Sequence, residues 1–395
     1  MPKLRGTQSA GSAKNSRLAA HKPPNLKGPK PQAIGGANNK ARVAGADSSL
    51  SLDQQKILPH NLQQDLLGVF ARALAPALAS PRLNEALQAV KHALYERDFS
   101  AAFGTVNDKA QVSTASVTGG EEGEHVAVES DHAIPPLDAY AARWSPTRAL
   151  CYASILASPV VQKHWKAVPP SLEDQLQQDT TPLRMVAIGG GAAELVAFGA
   201  LLTSGEPGCD RRGDLVLVDS GPWGSVVDRL RTSMVDSGGR GRKPALVEAE
   251  RFGVSVRQRD ILAVADEDMG ELLGRVDGTC RTVTLVSLFF TLNELFTAGG
   301  LGAAATFLLR LTAASPPGTV LLVVDSPGSY AEMAVGSQAR KYPMRWLLDK
   351  FLLQDAEGWN KVHEDEAIWF RLSPSLSYPI RLEDMRYQVH LYVRI

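Results

Sequence analysis

The sequence predicts an α/β fold: a mostly parallel, doubly wound sheet with an antiparallel C-terminal strand, preceded by a helical N-terminal region. Three observations predict it. From Leu183 to Asp325, short runs rich in Val, Leu and Ile alternate with helical stretches, the pattern of parallel strands covered on both faces. The first run ends in Gly189, Gly190 and Gly191 and passes at once into a helical pattern. Such a turn lets the backbone approach a ligand, and the helix start offers it free N–H groups. The last two strand-like stretches, Trp369–Leu372 and Arg386–Arg394, lie too close together to enclose a crossover helix, so they pair antiparallel.

Taken in order, residues 1–52 predict a disordered basic tail, because so few bulky apolar residues cannot offset the chain's entropy. Of the 42 bases, nine (Lys3 to Arg42) precede Asp47, where there is no acid; the remaining 33 are set against 42 acids. Unopposed bases suit RNA phosphates or a nuclear or nucleolar address, with a cytoplasmic location left open. A merely solubilising tail is the plainer alternative. Residues 53–166 predict a helical region. There Ser80-Pro81 opens a helix carrying Leu83, Leu87, Val90 and Leu94 on one stripe, and Ser145-Pro146 opens another. Between them, about 104–138, the composition turns to Ser, Thr, Gly and Glu without periodicity, as in a flexible insertion. A polar linker over 167–182 leads into an α/β domain over 183–395.

Within that domain, strand one is Leu183–Ile188, followed by the glycine turn and a helix through about Leu202. Strand two, Asp214–Asp219, ends in a carboxylate and leads to a helix over Ser225–Met234. A Gly/Arg/Lys loop at 238–243 precedes a short strand near Val254–Val256. Strand four is Thr282–Leu288, then a helix, and strand five is Gly318–Asp325. A doubly wound sheet with this antiparallel ending is the architecture of Rossmann-like class I methyltransferases; a dinucleotide dehydrogenase would continue with parallel strands.

The glycine turn points the same way. The dinucleotide spacing GxGxxG requires glycine at 194, where Glu194 stands. The methyltransferase spacing GxGxG finds Gly189 and Gly191 in place, with Ala193 at its third position and Ala187 where an acid is usual. Gly189, Gly190 and Gly191 are therefore the candidate cofactor cradle. Glu194 suits either the cofactor's amino group or the helix dipole. Asp219 is placed to accept both ribose hydroxyls, and Asp260, after strand three, the adenine amine.

Ligands of open α/β sheets bind beyond the C-terminal ends of the strands. After strand four, Asn293 and Glu294 sit among Phe289, Phe290, Leu292 and Phe296, and an acid in apolar surroundings can serve as a base. The plainer reading has Thr291 or Asn293 capping the next helix. After strand five, Asp325-Ser-Pro-Gly-Ser-Tyr330 brings Asp325 and Tyr330 to the same edge. Arg143, Trp144 and Arg148, around a helix start before the glycine stretch, either meet the substrate or pack. Cys151, Cys209 and Cys280 lie far apart without CxxC or a histidine cluster, so neither a disulfide framework nor a metal is expected.

Several of these strings are unusual in combination. They are Tyr140-Ala-Ala-Arg-Trp-Ser-Pro-Thr-Arg-Ala149, the Gly189–Glu194 turn, Val218-Asp219 with Trp223, Thr291-Leu-Asn-Glu-Leu-Phe296 and Asp325–Tyr330. Tyr342-Pro-Met-Arg-Trp-Leu-Leu348, Trp369-Phe-Arg371, Tyr378-Pro-Ile380 and Met385-Arg-Tyr-Gln-Val-His-Leu-Tyr392 join them. With them the chain resembles the fungal S-adenosylmethionine-dependent uridine-N3 methyltransferases of large-subunit (25S) ribosomal RNA, of the yeast type. The resemblance implies S-adenosylmethionine as cofactor, ribosomal RNA of the pre-60S particle as partner, and methylation of a uridine during ribosome assembly. Position in the chain, rather than the resemblance, offers Asn293, Glu294 or Asp325 for catalysis, Gly189–Gly191, Glu194, Asp219 and Asp260 for the cofactor, and Arg143, Trp144, Arg148 and Tyr330 for the substrate. Two other readings stay open: an inactive methyltransferase-fold assembly factor, and a methyltransferase for a protein or small molecule.

Overall fold

The computed structural model describes residues 58–104, 133–165, 182–203, 212–236, 245–274, 283–328, 330–335 and 338–395, with the backbone alone for residue 298 and for 330–342. The expected basic tail, most of the insertion and of the linker, and all of the Gly/Arg/Lys loop lie outside the described residues.

Before the sheet come α1 (His60–Ala73), α2 (Ala75–Ala79), α3 (Leu83–Tyr95), α4 (Phe99–Phe103), α5 (Pro136–Arg143), α6 (Ser145–Leu156) and α7 (Pro159–His164). Proline stands in the first turn of α2, α5, α6 and α7. It is favoured there because the missing N–H would have had no helical partner. Ser80-Pro81 does not open α3. The Ser80 hydroxyl accepts from the Arg82 N–H (3.2 Å) in a tight turn, and the helix begins at Leu83.

The sheet region then runs β1 (Leu183–Ile188), α8 (Ala192–Thr203), β2 (Gly213–Asp219), α9 (Gly224–Val235), β3 (Phe252–Gln258), α10 (Asp266–Leu272) and β4 (Thr284–Phe289). It continues with α11 (Leu292–Ala298), α12 (Gly300–Ala314), β5 (Val320–Asp325) and a hairpin of β6 (Tyr330–Val335) and β7 (Gln338–Pro343). The chain ends with α13 (Met344–Asp349), a π-helical turn (Lys350–Asp355), β8 (Trp359–Phe370) and β9 (Met385–Arg394).

Seven of these strands form one sheet in the order β3-β2-β1-β4-β5-β9-β8. β1 to β5 are parallel, and β9 runs antiparallel to both β5 and β8. The order reverses between β1 and β4, which opens a crevice beyond the strand ends at that point. Alternate strand residues face opposite layers. Met185, Leu215, Leu285 and Leu322 join one core with α1, α6, α8 and α9, whereas Val186, Val216, Val286 and Val323 join another with α10 to α13. Helices from before the glycine stretch thus share a core with the sheet.

Two parts of the C-terminal third differ from expectation. The expected strand Trp369–Leu372 is the end of a longer one that begins at Trp359 and stops at Phe370. Irregularities between Lys361 and His363 and between Asp365 and Ile368 break its alternation, and an edge strand this charged lacks a strand-like pattern. The β6–β7 hairpin lies outside the expected elements, its one apolar run, Met333-Ala334-Val335, being short and its second strand polar. Among the described residues no helix is long and apolar enough to cross a membrane.

Candidate active site

At the end of β1 the backbone of Gly189 takes φ +68°, and its N–H donates to the Val218 carbonyl (2.8 Å), tying the turn to β2. A Cβ at Gly189 would fall 2.2 Å from the Thr291 hydroxyl, and one at Gly191 would fall 2.7 Å from the Trp223 indole. Both glycines are thus sites of close approach, and only the first also demands a left-handed backbone. Gly190 packs over Ala187. An acid at 187 would point into the same packed layer, so its absence leaves the turn intact.

α8 starts at once. Glu194, in its first turn and 5% exposed, accepts the Gly191 N–H at 2.8 Å, the reciprocal half of a capping box. The helix-cap reading of Glu194 is therefore met by one oxygen, while the side chain still lines the cavity. Asp219 at the end of β2 accepts the Gly221 N–H at 2.6 Å and a hydrogen bond from the Trp223 indole. These donors hold the carboxylate in a fixed orientation facing the same cavity.

The opposite wall comes from the N-terminal helices. The Phe103 and Tyr140 rings meet edge to face (5.2 Å, 81°), as do Tyr140 and Trp223 (5.9 Å, 71°). From α6 the Arg148 guanidinium donates to the Tyr140 hydroxyl and lies over the rings of Tyr140 (5.5 Å) and Phe290 (5.1 Å). The fourth side is the turn after β4, where Phe290 has φ +56° and donates its N–H to the Val324 carbonyl (2.7 Å). A bulky side chain at positive φ is strained, and such strain gathers at functional sites. Glu294, in the first turn of α11, completes the cavity.

Burial dominates its electrostatics. Loss of water pushes the Glu294 carboxyl up to about 7, against the pull of Arg148. Glu194 is likewise pushed to about 7, moderated by the Gly191 N–H, and Asp219 to about 6. Burial disfavours the charge on Arg148, but Tyr140, Tyr152 and Glu194 outweigh it and keep the guanidinium protonated. Three carboxyls thus surround one guanidinium. An excess of carboxyls over cations suits a ligand of net positive charge, as S-adenosylmethionine is through its sulfonium. Among the described residues no group of His, Cys, Asp and Glu could hold a metal ion.

Of the residues expected from the sequence, Gly189, Gly191, Glu194, Asp219, Arg148 and Glu294 line this one cavity. Arg148, expected beside the substrate, shares this cavity with the glycine turn. Asp325 does not line it. Its oxygens accept the Asn293 N–H (3.2 Å) and the Ser326 N–H (2.7 Å), so the carboxylate caps α11. It also replaces Thr291, whose hydroxyl instead reaches the carbonyls of Ile188 and Phe289 (both 3.1 Å). Asn293 contributes that backbone N–H and no lining surface. Asp260 is exposed and caps a short turn through the Leu262 N–H (3.0 Å). Arg143 pairs with Glu383 (2.8 Å) and Trp144 stacks beside Tyr140, both outside the lining. Only the backbone of Tyr330 is described, at the start of β6.

The sequence marks none of Phe103, Tyr140, Tyr152, Trp223 or Thr291 as a site residue, and all of them line the cavity. Tyr152 stands four residues after Arg148 on α6, the spacing that shares a helix face, and that signal was available. Phe103 comes from a distant helix, and nothing local marks it.

A family model described as "Putative SAM-dependent methyltransferase" matches residues 70–393. The "25S rRNA (uridine(2843)-N(3))-methyltransferase" of Saccharomyces cerevisiae is 30% identical over 335 residues, covering 79% of this chain and 78% of the yeast protein. Among solved structures, the 16S rRNA (adenine(1408)-N(1))-methyltransferase from Catenulisporales acidiphilia is 15% identical, with 58% of this chain and 96% of that one covered at a TM-score of 0.32. The N-methyltransferase NodS from Bradyrhizobium japonicum WM9, solved with S-adenosyl-l-homocysteine, is 12% identical, covering 65% and 96%, at a TM-score of 0.29. Scores this low carry no argument by themselves.

Proposed function

The chain belongs to this family of S-adenosylmethionine-dependent methyltransferases, and from that premise we propose that it methylates N3 of a uridine in large-subunit ribosomal RNA. The observation that carries the proposal is the cavity's charge set: Glu194, Asp219 and Glu294 around Arg148. The identity to the yeast relative supports uridine as the acceptor.

The Gly189–Gly191 turn would cradle the cofactor, with Asp219 accepting ribose hydroxyls, Arg148 facing its carboxylate and Glu194 its ammonium. When bound, S-adenosylmethionine supplies a methyl group on a sulfonium, already a strong electrophile. The chain's own task is to place the acceptor and move its proton. N3 lies on the Watson–Crick edge, so the base must be unpaired or flipped out of a helix. The N3–H bond is that of a weakly acidic imide. Glu294 accepts this proton, leaving the N3 lone pair free to form the new N–C bond. Its raised pKa suits the role, because a base titrating near neutrality combines availability with basicity. Holding N3 in line with the methyl group supplies much of the rate.

The unopposed bases before Asp47 suit an arm that follows rRNA phosphates in a pre-60S particle, and a nucleolar location. Mass spectrometry of rRNA nucleosides from a strain lacking the protein tests the substrate. A missing 3-methyluridine supports the assignment, and an unchanged amount contradicts it.

A further inference from the structure

We propose that Trp369, Arg371 and Arg386 form a stacking platform for single-stranded RNA beside the methylation cavity; the proposal rests on the rRNA reading of the function. Trp369 is 51% exposed at the end of an edge strand. Its ring is flanked by two guanidiniums, Arg371 at 4.8 Å and Arg386 at 5.8 Å. Arg386 stands opposite Trp369 in the β8–β9 ladder. Arg371 also pairs with Asp384 at 3.2 Å, and its side chain remains 67% exposed. A half-exposed indole with two guanidiniums lying over it has the components for a nucleotide: aromatic and guanidinium planes on which a base can stack, and charge for its phosphates.

The position of the group favours RNA over other occupants. β9 runs against β5, so its first residues lie at the sheet edge where β5 ends, with Gln388 opposite Asp325. Alternate residues Arg386 and Gln388 share a face of β9, and the Gln388 amide donates to the Ser326 carbonyl (2.8 Å) in the turn after β5. The platform therefore continues from the turn that caps α11 and positions Glu294. Three strand spacings separate β8 from β4, about 14 Å at roughly 4.8 Å each. Nucleotides flanking the one in the cavity would meet Trp369.

The test uses the full chain, a labelled single-stranded RNA oligonucleotide of mixed sequence, and deproteinised large-subunit rRNA as methyl acceptor. Trp369→Ala should weaken oligonucleotide binding about tenfold or more, the range of one lost base stack, and Trp369→Phe should restore most of it. Arg386→Gln should lower the slope of log affinity against log salt by about 0.7, one phosphate contact on a single strand. S-adenosylhomocysteine affinity should be unchanged in all three, which separates the effect from misfolding. If wild type binds and methylates rRNA while Trp369→Ala and Arg386→Gln bind RNA with wild-type affinity and salt slope, the platform is overturned. The cations then serve only to cover the strand edge or meet a protein. If wild type neither binds nor methylates rRNA, the function falls first and the platform with it.

Discussion

The two halves of the sheet's C-terminal edge are built by different means. In the β1–β2 half, the two carboxylates are fixed locally, Glu194 by capping Gly191 three residues back and Asp219 by holding Gly221 two residues on. The glycine turn itself is tied across to Val218 and packed on Thr291. Beneath the β4–β5 half, the contacts span the chain. Asp325 reaches 32 residues to cap α11, Gln388 reaches 62 residues to Ser326, and Arg148 comes from another helix altogether to cover Phe290. In the half proposed to hold the cofactor the carboxylates are thus fixed by short-range hydrogen bonds, whereas the half proposed to meet the acceptor is assembled by tertiary structure. Substitutions in the two halves should fail differently.

The largest effect is expected at Glu294. Glu294→Gln should lower kcat for rRNA methylation by about 10²–10⁴, the range for removal of a general base, with S-adenosylhomocysteine affinity retained. The wild-type pH profile carries the same information. Burial raises the Glu294 pKa to about 7, so its proton-accepting form is lost as pH falls through 7. With saturating cofactor, kcat should rise with pH to about 7 and then level off. Glu194 (about 7) and Asp219 (about 6) titrate nearby, Asp325 faces Glu294, and Arg148 stays charged throughout. Titration of Glu194 and Asp219 should appear in cofactor affinity, so a profile seen in affinity alone would blur the division between the halves.

Next comes Asp219→Ala. Two charge-assisted hydrogen bonds at about 1.5 kcal/mol or more each predict a loss of S-adenosylhomocysteine affinity of about 100-fold by calorimetry. Near wild-type heat would remove Asp219 from the cofactor half. The smallest effect is expected at Asp325. As a helix cap, Asp325→Asn should cost about 0.5–2 kcal/mol at most in thermal or denaturant unfolding, since Asn also caps. Its methylation rate should stay far above that of Glu294→Gln. A rate as low as that of Glu294→Gln would return Asp325 to the reaction.

The same division explains what could be read from the sequence. β1, β2, β5 and the glycine turn are legible because continuous apolar runs and a three-glycine turn are written in adjacent residues. Asp219 was legible because its place follows from a strand end. The local signals ran out at Asp325 and Asp260, which look like site acids in a linear string and prove to be caps once α11 and the turn after β3 are in place. Phe103 and Tyr140 were missed as wall residues because only packing brings them to Trp223. β8 was truncated because its polar alternation is broken by irregularities that only β9 resolves.

The most direct measurement is a reconstituted reaction: purified protein, isotope-labelled S-adenosylmethionine and large-subunit rRNA from a strain lacking the protein, digested to nucleosides for mass spectrometry. The account predicts label in 3-methyluridine with wild type, and almost none with Glu294→Gln despite intact cofactor binding. Label in any other nucleoside, or comparable 3-methyluridine from Glu294→Gln, would contradict it.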